Sequence, residues 1–207
     1  MFKLKPLLLL SGALNISIAL AQSSDTAGTI EIRSKAENLT GIANSGSEGI
    51  VSGLRIAALP ILRPGEVMEM VPGLIVTQHA GDGKANQYFL RGFNLDHGTD
   101  FATFVNGVPA NMPTHAHGQG YTDLNFLIPE LVDQIAYRKG TYSALDGDFS
   151  AAGSARIEYL KKMNGHLAEL TAGANGYKRF LLAGSPKRLE GQWLYGLEVF
   201  RNDGPWV

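Results

Sequence analysis

The sequence predicts an α+β domain of short strands, small helices and long loops, followed by the opening antiparallel strands of an incomplete β-barrel. Three observations predict it. Four or five short strand patterns and two short helical patterns fall between about residue 50 and residue 160. From His166 onward, alternating segments are separated by turn residues, a pattern common to outer-membrane barrel strands and to an ordinary soluble meander. Glycine supplies 25 of 207 residues, about 12% against a usual ~7%, so turns and close backbone approaches are many.

Composition excludes several classes. Eighteen Lys and Arg against nineteen Asp and Glu give a net charge of −1, which excludes nucleic-acid binding by bulk positive charge. With no cysteine there is no disulfide framework and no thiolate zinc site. Gly81-Asp82-Gly83-Lys84 is not a phosphate loop, because Gln78 and Ala85 stand where glycine and Ser/Thr are required. No Gly-x-Ser-x-Gly elbow or His-Glu-x-x-His pattern occurs.

Residues 1–21 have the form of a secretory signal. Lys3 and Lys5 precede the apolar run Leu7 to Leu14, and Ala19-Leu20-Ala21 supplies the small residues before a cut. Cleavage there leaves residues 22–207 and predicts export. Residues 22–53 are rich in Ser, Gly, Thr and Asn and read as a flexible leader. Within them Thr29, Ile30, Glu31, Ile32 and Arg33 alternate apolar and polar, which leaves three readings: a strand that joins the edge of a partner's sheet, a first strand of the domain itself, or no ordered element.

Pro64 to Val71 is expected to be a helix, with Pro64 at its start, Glu66 at its positive end, and Val67, Met70 and Val71 on one face. Pro72-Gly73 ends it. Leu74 to Gln78, Gln87 to Arg91 and Phe101 to Val105 read as strands, the last closed by Asn106-Gly107, the pair suited to a type I′ hairpin turn. Leu127 to Leu131 reads as a helical turn around Pro129. Val132 to Lys139 and Ser154 to Leu160 read as strands on either side of a small-residue loop from Ser143 to Gly153. Beyond Asn164-Gly165, His166 to Gly173, Phe180 to Gly184 and Trp193 to Arg201 alternate as half-buried strands do.

Five phrases in order resemble the N-terminal part of a TonB-dependent outer-membrane receptor: Val71-Pro72-Gly73-Leu74-Ile75-Val76, Tyr88-Phe89-Leu90-Arg91-Gly92-Phe93, Phe104-Val105-Asn106-Gly107-Val108-Pro109, Ile128-Pro129-Glu130-Leu131-Val132-Asp133-Gln134-Ile135 and Gly153-Ser154-Ala155-Arg156-Ile157. The resemblance implies a signal peptide at 1–21, a leader at 22–53 with a TonB box at 29–33, and an α+β plug domain at 54–160 with a short mixed sheet. The first antiparallel strands of a truncated transmembrane β-barrel would follow at 161–207. It implies an outer-membrane location and TonB, with its energising inner-membrane complex, as partner. The implied task is gated uptake of a scarce ligand: an iron–siderophore, cobalamin or another metal chelate. It implies no catalytic residue and no cofactor. A plugged barrel has ~22 strands of ~10 residues each, more than residues 22–207 can supply. The chain is therefore expected to hold the plug and about three strands, and by itself to transport nothing.

By position, the loops Gln78 to Gln87 and Asn111 to Asp123 resemble the ligand-facing apical plug loops. His79, Asp82, Lys84, Asn86, His115, His117, Gln119 and Tyr121 become their candidate contacts. Arg91, Glu130 and Arg156 become candidate anchors of the plug within the barrel, the arginines pairing with Glu130 or Asp133. Lys178-Arg179 reads as charge at a turn or strand end. His115-Ala116-His117 is the strongest chemical pattern. In an extended segment, residues two apart share a face, so both imidazoles would reach one metal ion; the other outcome is hydrogen bonding within a Gly-rich loop. His79 and His97 lie in other loops, with Asp96, Asp100 and Asp123 as possible oxygen donors. The alternative function is a soluble periplasmic metal-binding module built on the His115/His117 loop.

Overall fold

A computed structural model describes residues 42–43, 45–78, 83–186 and 191–204. The expected signal sequence at 1–21, the expected TonB box at 29–33, and the loop residues His79 and Asp82 lie outside these residues.

Strands β1 (Ile42–Ala43), β2 (Glu48–Ser52), β6 (Phe101–Val105), β7 (Val108–Pro109), β8 (Val132–Lys139) and β9 (Gly153–Tyr159) form a six-stranded sheet in the order β1-β2-β8-β9-β6-β7. All its pairings are antiparallel except β6 with β9. A second sheet joins β3 (Leu74–Thr77), β4 (Gln87–Leu90) and β5 (Phe93–Asn94). The third is a meander of β10 (His166–Ala172), β11 (Lys178–Gly184) and β12 (Tyr195–Arg201). The described residues thus form a mixed-sheet α+β domain followed by three antiparallel strands, as expected, and contain no closed barrel. None of the described helices is long and apolar enough to cross a membrane.

The expected strand limits at β6 and β8 are met residue for residue. Asn106 (φ 48°) and Gly107 (φ 79°) both occupy the left-handed region that a type I′ turn requires. Two readings change. Glu48–Ser52, expected as leader, is a strand paired along β8, with Val51 opposite Ile135. Pro64–Met70 is a 3-10 helix rather than an α-helix. Val67 and Val71 of the expected face are buried, together with Gly65 and Met68, which lie three residues apart as an i, i+3 line of a 3-10 helix does; Met70 is only partly buried. The helix starts where Glu66 Oε2 accepts from the backbone N–H groups of Leu62 and Arg63.

The core lies on one face of the six-stranded sheet and under the β3-β4-β5 sheet. Ile135 and Ile157 face each other across β8 and β9 with no solvent exposure. Phe101, Met68, Leu95, Leu124 and Leu127 fill the space around them. On the other face, a short 3-10 turn at Ala144–Asp146 lays Asp146 over the strands. Asp146 is 1% exposed and receives Arg138 at 2.8 Å and Arg156 at 3.2 Å. Arg156 is therefore engaged within its own domain, with its guanidinium over the Phe104 ring at 4.1 Å, and not with Glu130 or Asp133. Arg91 is not interior to a strand either. At φ 52° it forms, with Gly92, the tight turn between β4 and β5, and its side chain is exposed.

Burial alone pushes the Asp146 carboxyl upward, but the hydrogen bonds and charges of Arg138 and Arg156 outweigh it and hold the group below the usual carboxylate range. A carboxyl depressed in the folded state contributes stability that is full above its unfolded value and is lost as the pH falls through the lower folded value. Unfolding free energy should therefore drop below about pH 4, and the part of that drop due to this group should vanish in Asp146→Asn. Denaturant titrations at pH 3 and pH 6 check this; equal pH dependence in both proteins would refute it.

Candidate functional site

Two side-chain groupings stand out beyond the core. The first is a cluster of rings on the loops flanking β6. A hub residue organises it: Asn111, 6% exposed, accepts from Thr103 N at 2.7 Å and donates to the carbonyls of Gly98 at 3.0 Å, Phe101 at 3.1 Å and Gly120 at 3.0 Å. One side chain thereby ties residues 98–101 to the far end of the 111–121 loop. An isolated bridge between Met112 and Tyr121 closes that loop. At Gly120, φ is 85°, and a Cβ would press on Thr99 and Phe149, so only glycine turns the chain there to seat Tyr121.

Tyr121 is buried, and its hydroxyl accepts from Ala85 N at 2.7 Å. His115 stacks on its ring at 3.8 Å, and His97 lies 5.3 Å away. The loop is bent rather than extended, so His115 and His117 do not present a common face. Instead His115 Nδ1 accepts from His117 N at 3.1 Å, and the His117 ring meets His97 edge to face at 4.4 Å. The grouping brought together is Asp96, His97 and His117, whose ligand atoms all lie within 4.8 Å of one another. The neighbours of His117 in this grouping are thus two residues from the turn before β6, and His115 is not among them.

His97 is fully buried. Its Nδ1 lies 2.9 Å from Ala85 O and 3.1 Å from Asn86 O. Carbonyl oxygens only accept, so Nδ1 carries a proton. Burial pushes this imidazole below its ordinary range, against the upward pull of those carbonyls and of Asp96. Among the other expected contacts, Gln119 is exposed and Lys84 half-buried, whereas Asn86 is buried with its amide against Gly65 and presents no side chain to solvent.

The second grouping joins the α+β domain to the meander. Glu130, in the 3-10 turn Pro129–Leu131, receives both guanidinium nitrogens of Arg179 on β11, at 2.7 and 2.9 Å. Arg179 Nε also donates to Glu198 on β12 at 3.1 Å, and Glu169 on β10 stands 3.7 Å away. Around this fork, Leu181 and Ala183 are wholly buried, and Gly196 leaves room for Leu131 and Ile128. The meander's other face carries Leu170, Phe180, Leu197 and Val199, all exposed. Of the three expected anchors, only Glu130 reaches residues 161–207 among the described residues. Its partner Arg179 was passed over because a basic residue beside a turn looks like ordinary strand-end charge.

The family model described as TonB-dependent Receptor Plug Domain matches residues 40–154, more than half of the chain. The fold is also similar to solved structures. The ferric yersiniabactin uptake receptor FyuA from Yersinia pestis aligns at a TM-score of 0.56 with 16% identity, over 77% of this chain and 24% of that one. A mutant ferric enterobactin receptor PfeA from Pseudomonas aeruginosa aligns at 0.51 with 17% identity, over 71% and 23%. The copper transporter OprC aligns at 0.50 with 21% identity, over 70% and 22%. The chain thus spans under a quarter of the length of these relatives, and at these identities the likeness concerns the fold.

Proposed function

The chain belongs to the TonB-dependent receptor plug-domain family, and from that premise we propose that it works as the plug and first barrel strands of an outer-membrane receptor that takes up a metal ion or metal chelate. That family is one of transport receptors and not of enzymes. The observation that carries the reading is the two-faced meander. Its inner face is clamped to the plug through Glu130 and Arg179, and its outer face exposes Leu170, Phe180, Leu197 and Val199, with the charges of Lys178 and Arg201 at one end. Strands with one face toward a filled lumen and an apolar face outward are what a barrel wall in lipid requires.

On this reading Glu130 and Arg179 hold the plug against the wall, while the loops at 78–87 and 111–123 meet incoming ligand. Thr29 to Arg33 hand TonB's pull to the plug by adding a strand to TonB's sheet through backbone hydrogen bonds. The substrates of those receptors, ferric yersiniabactin, ferric enterobactin and copper, support a metal-bearing cargo. A peptide of residues 22–53 should bind a TonB C-terminal domain, and Ile30→Pro, which removes a ladder donor, should weaken that binding at least ~10-fold. Absence of binding, or equal binding by the variant, would sink the TonB-box assignment.

A further inference from the structure

The carboxylate of Asp96 is flanked by two imidazoles, one at each oxygen. His97 Nε2 lies 3.8 Å from Oδ1, and His117 Nε2 lies 3.6 Å from Oδ2. Both separations are longer than a hydrogen bond. One ligand atom from each of Asp96, His97 and His117 lies within 4.8 Å of the other two; ligand atoms of one tetrahedral ion, at metal–ligand bonds of ~2.0–2.1 Å, stand roughly 3.3 Å apart, so binding would draw the three side chains together.

The orientation of His97 is independent of this spacing and points the same way. With its Nδ1 proton directed at the carbonyls of Ala85 and Asn86, His97 turns the Nε2 side of its ring toward Asp96 and His117. A ring N–H held by a backbone carbonyl while the opposite nitrogen ligates is the usual support for a metal-bound histidine. The backbone prepares the carboxylate as well. Asp96 sits at φ 49°, with its N–H held by Asn94 Oδ1 at 2.8 Å and its carbonyl accepting from Tyr88 N at 2.9 Å. His97 is buried while His117 and Asp96 are 37% and 43% exposed, so the group opens to solvent on one side.

We infer that Asp96, His97 and His117 form a three-ligand site for a divalent transition-metal ion, with its remaining coordination position open to solvent. Two imidazole nitrogens and one carboxylate oxygen suit Zn²⁺ or Cu²⁺ and disfavour Mg²⁺ and Ca²⁺, which take oxygen ligands. His115 is not a ligand; stacked on Tyr121, it positions His117 by accepting its backbone N–H. That the bound ion is cargo, alone or within a chelate, rests on the receptor reading. That the ion binds does not.

The test is calorimetric titration of the full chain with Zn²⁺, and with Mg²⁺ for contrast. One Zn²⁺ per chain is expected, with no Mg²⁺ heat. Asp96→Asn and His117→Ala, both at partly exposed positions, should each weaken Zn²⁺ binding at least ~10-fold with the thermal melt preserved. His115→Ala should change it less than about threefold. With Co²⁺ as probe, visible absorption of a four- or five-coordinate ion should appear in the parent and be lost in His117→Ala. Absence of Zn²⁺ binding, unchanged affinity in Asp96→Asn and His117→Ala, or a loss in His115→Ala equal to that in His117→Ala would overturn the site. A leader peptide that fails to bind TonB while Zn²⁺ binding is intact would count against the receptor reading and leave the site standing.

Discussion

Gly153→Val should abolish cooperative folding of the chain or bring it close to that point. Gly153 opens β9 at φ 147°, between Lys139 on β8 and Phe101 on β6. A Cβ there would collide with the Arg138 carbonyl and come within 3.0 Å of Lys139 Cα and of the Phe101 ring. Two of these obstacles are backbone, and Phe101 is 2% exposed, so none can swing aside. Left-handed backbone strain costs about 1–3 kcal/mol, and overpacking a filled interior a further ~1–3 kcal/mol. Together they take a large share of the ~5–15 kcal/mol that holds a domain folded. Gly165→Ala is the control: its φ of 107° carries strain, but nothing lies within 4 Å of the added carbon, so a loss of only about 1–3 kcal/mol is expected. Guanidinium unfolding of both variants decides it. A Gly153→Val protein within 1 kcal/mol of the parent would show that the sheet yields at this point.

Arg179→Ala should release the β10-β11-β12 meander from the plug. The guanidinium is 13% exposed, and its departure leaves the carboxylates of Glu130, Glu169 and Glu198 facing one another without a cation. Removing one partner of a largely buried ion pair costs ~3–5 kcal/mol because the stranded charge remains; with Glu130 31% exposed, solvent relieves part of this, and about 2–3 kcal/mol is expected. Glu130→Gln should cost less, near 1 kcal/mol, since Glu198 still holds the arginine. Arg179→Lys should not restore the parent, because a single ammonium cannot span both oxygens of Glu130 and still reach Glu198. Hydrogen exchange separates the two parts of the chain: amides of β11 should lose protection in Arg179→Ala while those of β8 and β9 keep it. Undiminished protection on β11 would mean that the apolar contacts of Leu181 and Ala183 suffice.

Much of the architecture was legible from local signals. The β-rich run Phe101 to Val105, the Asn106-Gly107 turn and the alternation within Val132 to Lys139 each specify their own structure, because strand propensity, the side-chain period of two and the need for positive φ act within a few residues. Glu48–Ser52 carried a fainter signal. Its inward positions are Gly49 and Val51, so one apolar side chain had to announce a strand inside a Ser- and Gly-rich stretch. Pairing with β8, more than eighty residues away, made it one.

The candidate site was legible in its residue types but not in its grouping. Histidines and an aspartate on loops were visible at once, and the partner chosen for His117 was the nearest in sequence. The fold chose differently, since the buried amide of Asn111 draws residues 98–101 onto the end of the 111–121 loop. Arg179 was misjudged for the same reason. By itself, then, the sequence determined the main strands after residue 70, their turns, the family and the two-faced pattern of the meander, because each is written in short-range periodicity or contiguous phrases. Only the tertiary structure decided that His117 meets Asp96 and His97, and that Glu130 meets Arg179. Those encounters depend on loop closures whose partners lie tens of residues apart, and no local rule of spacing carries that information.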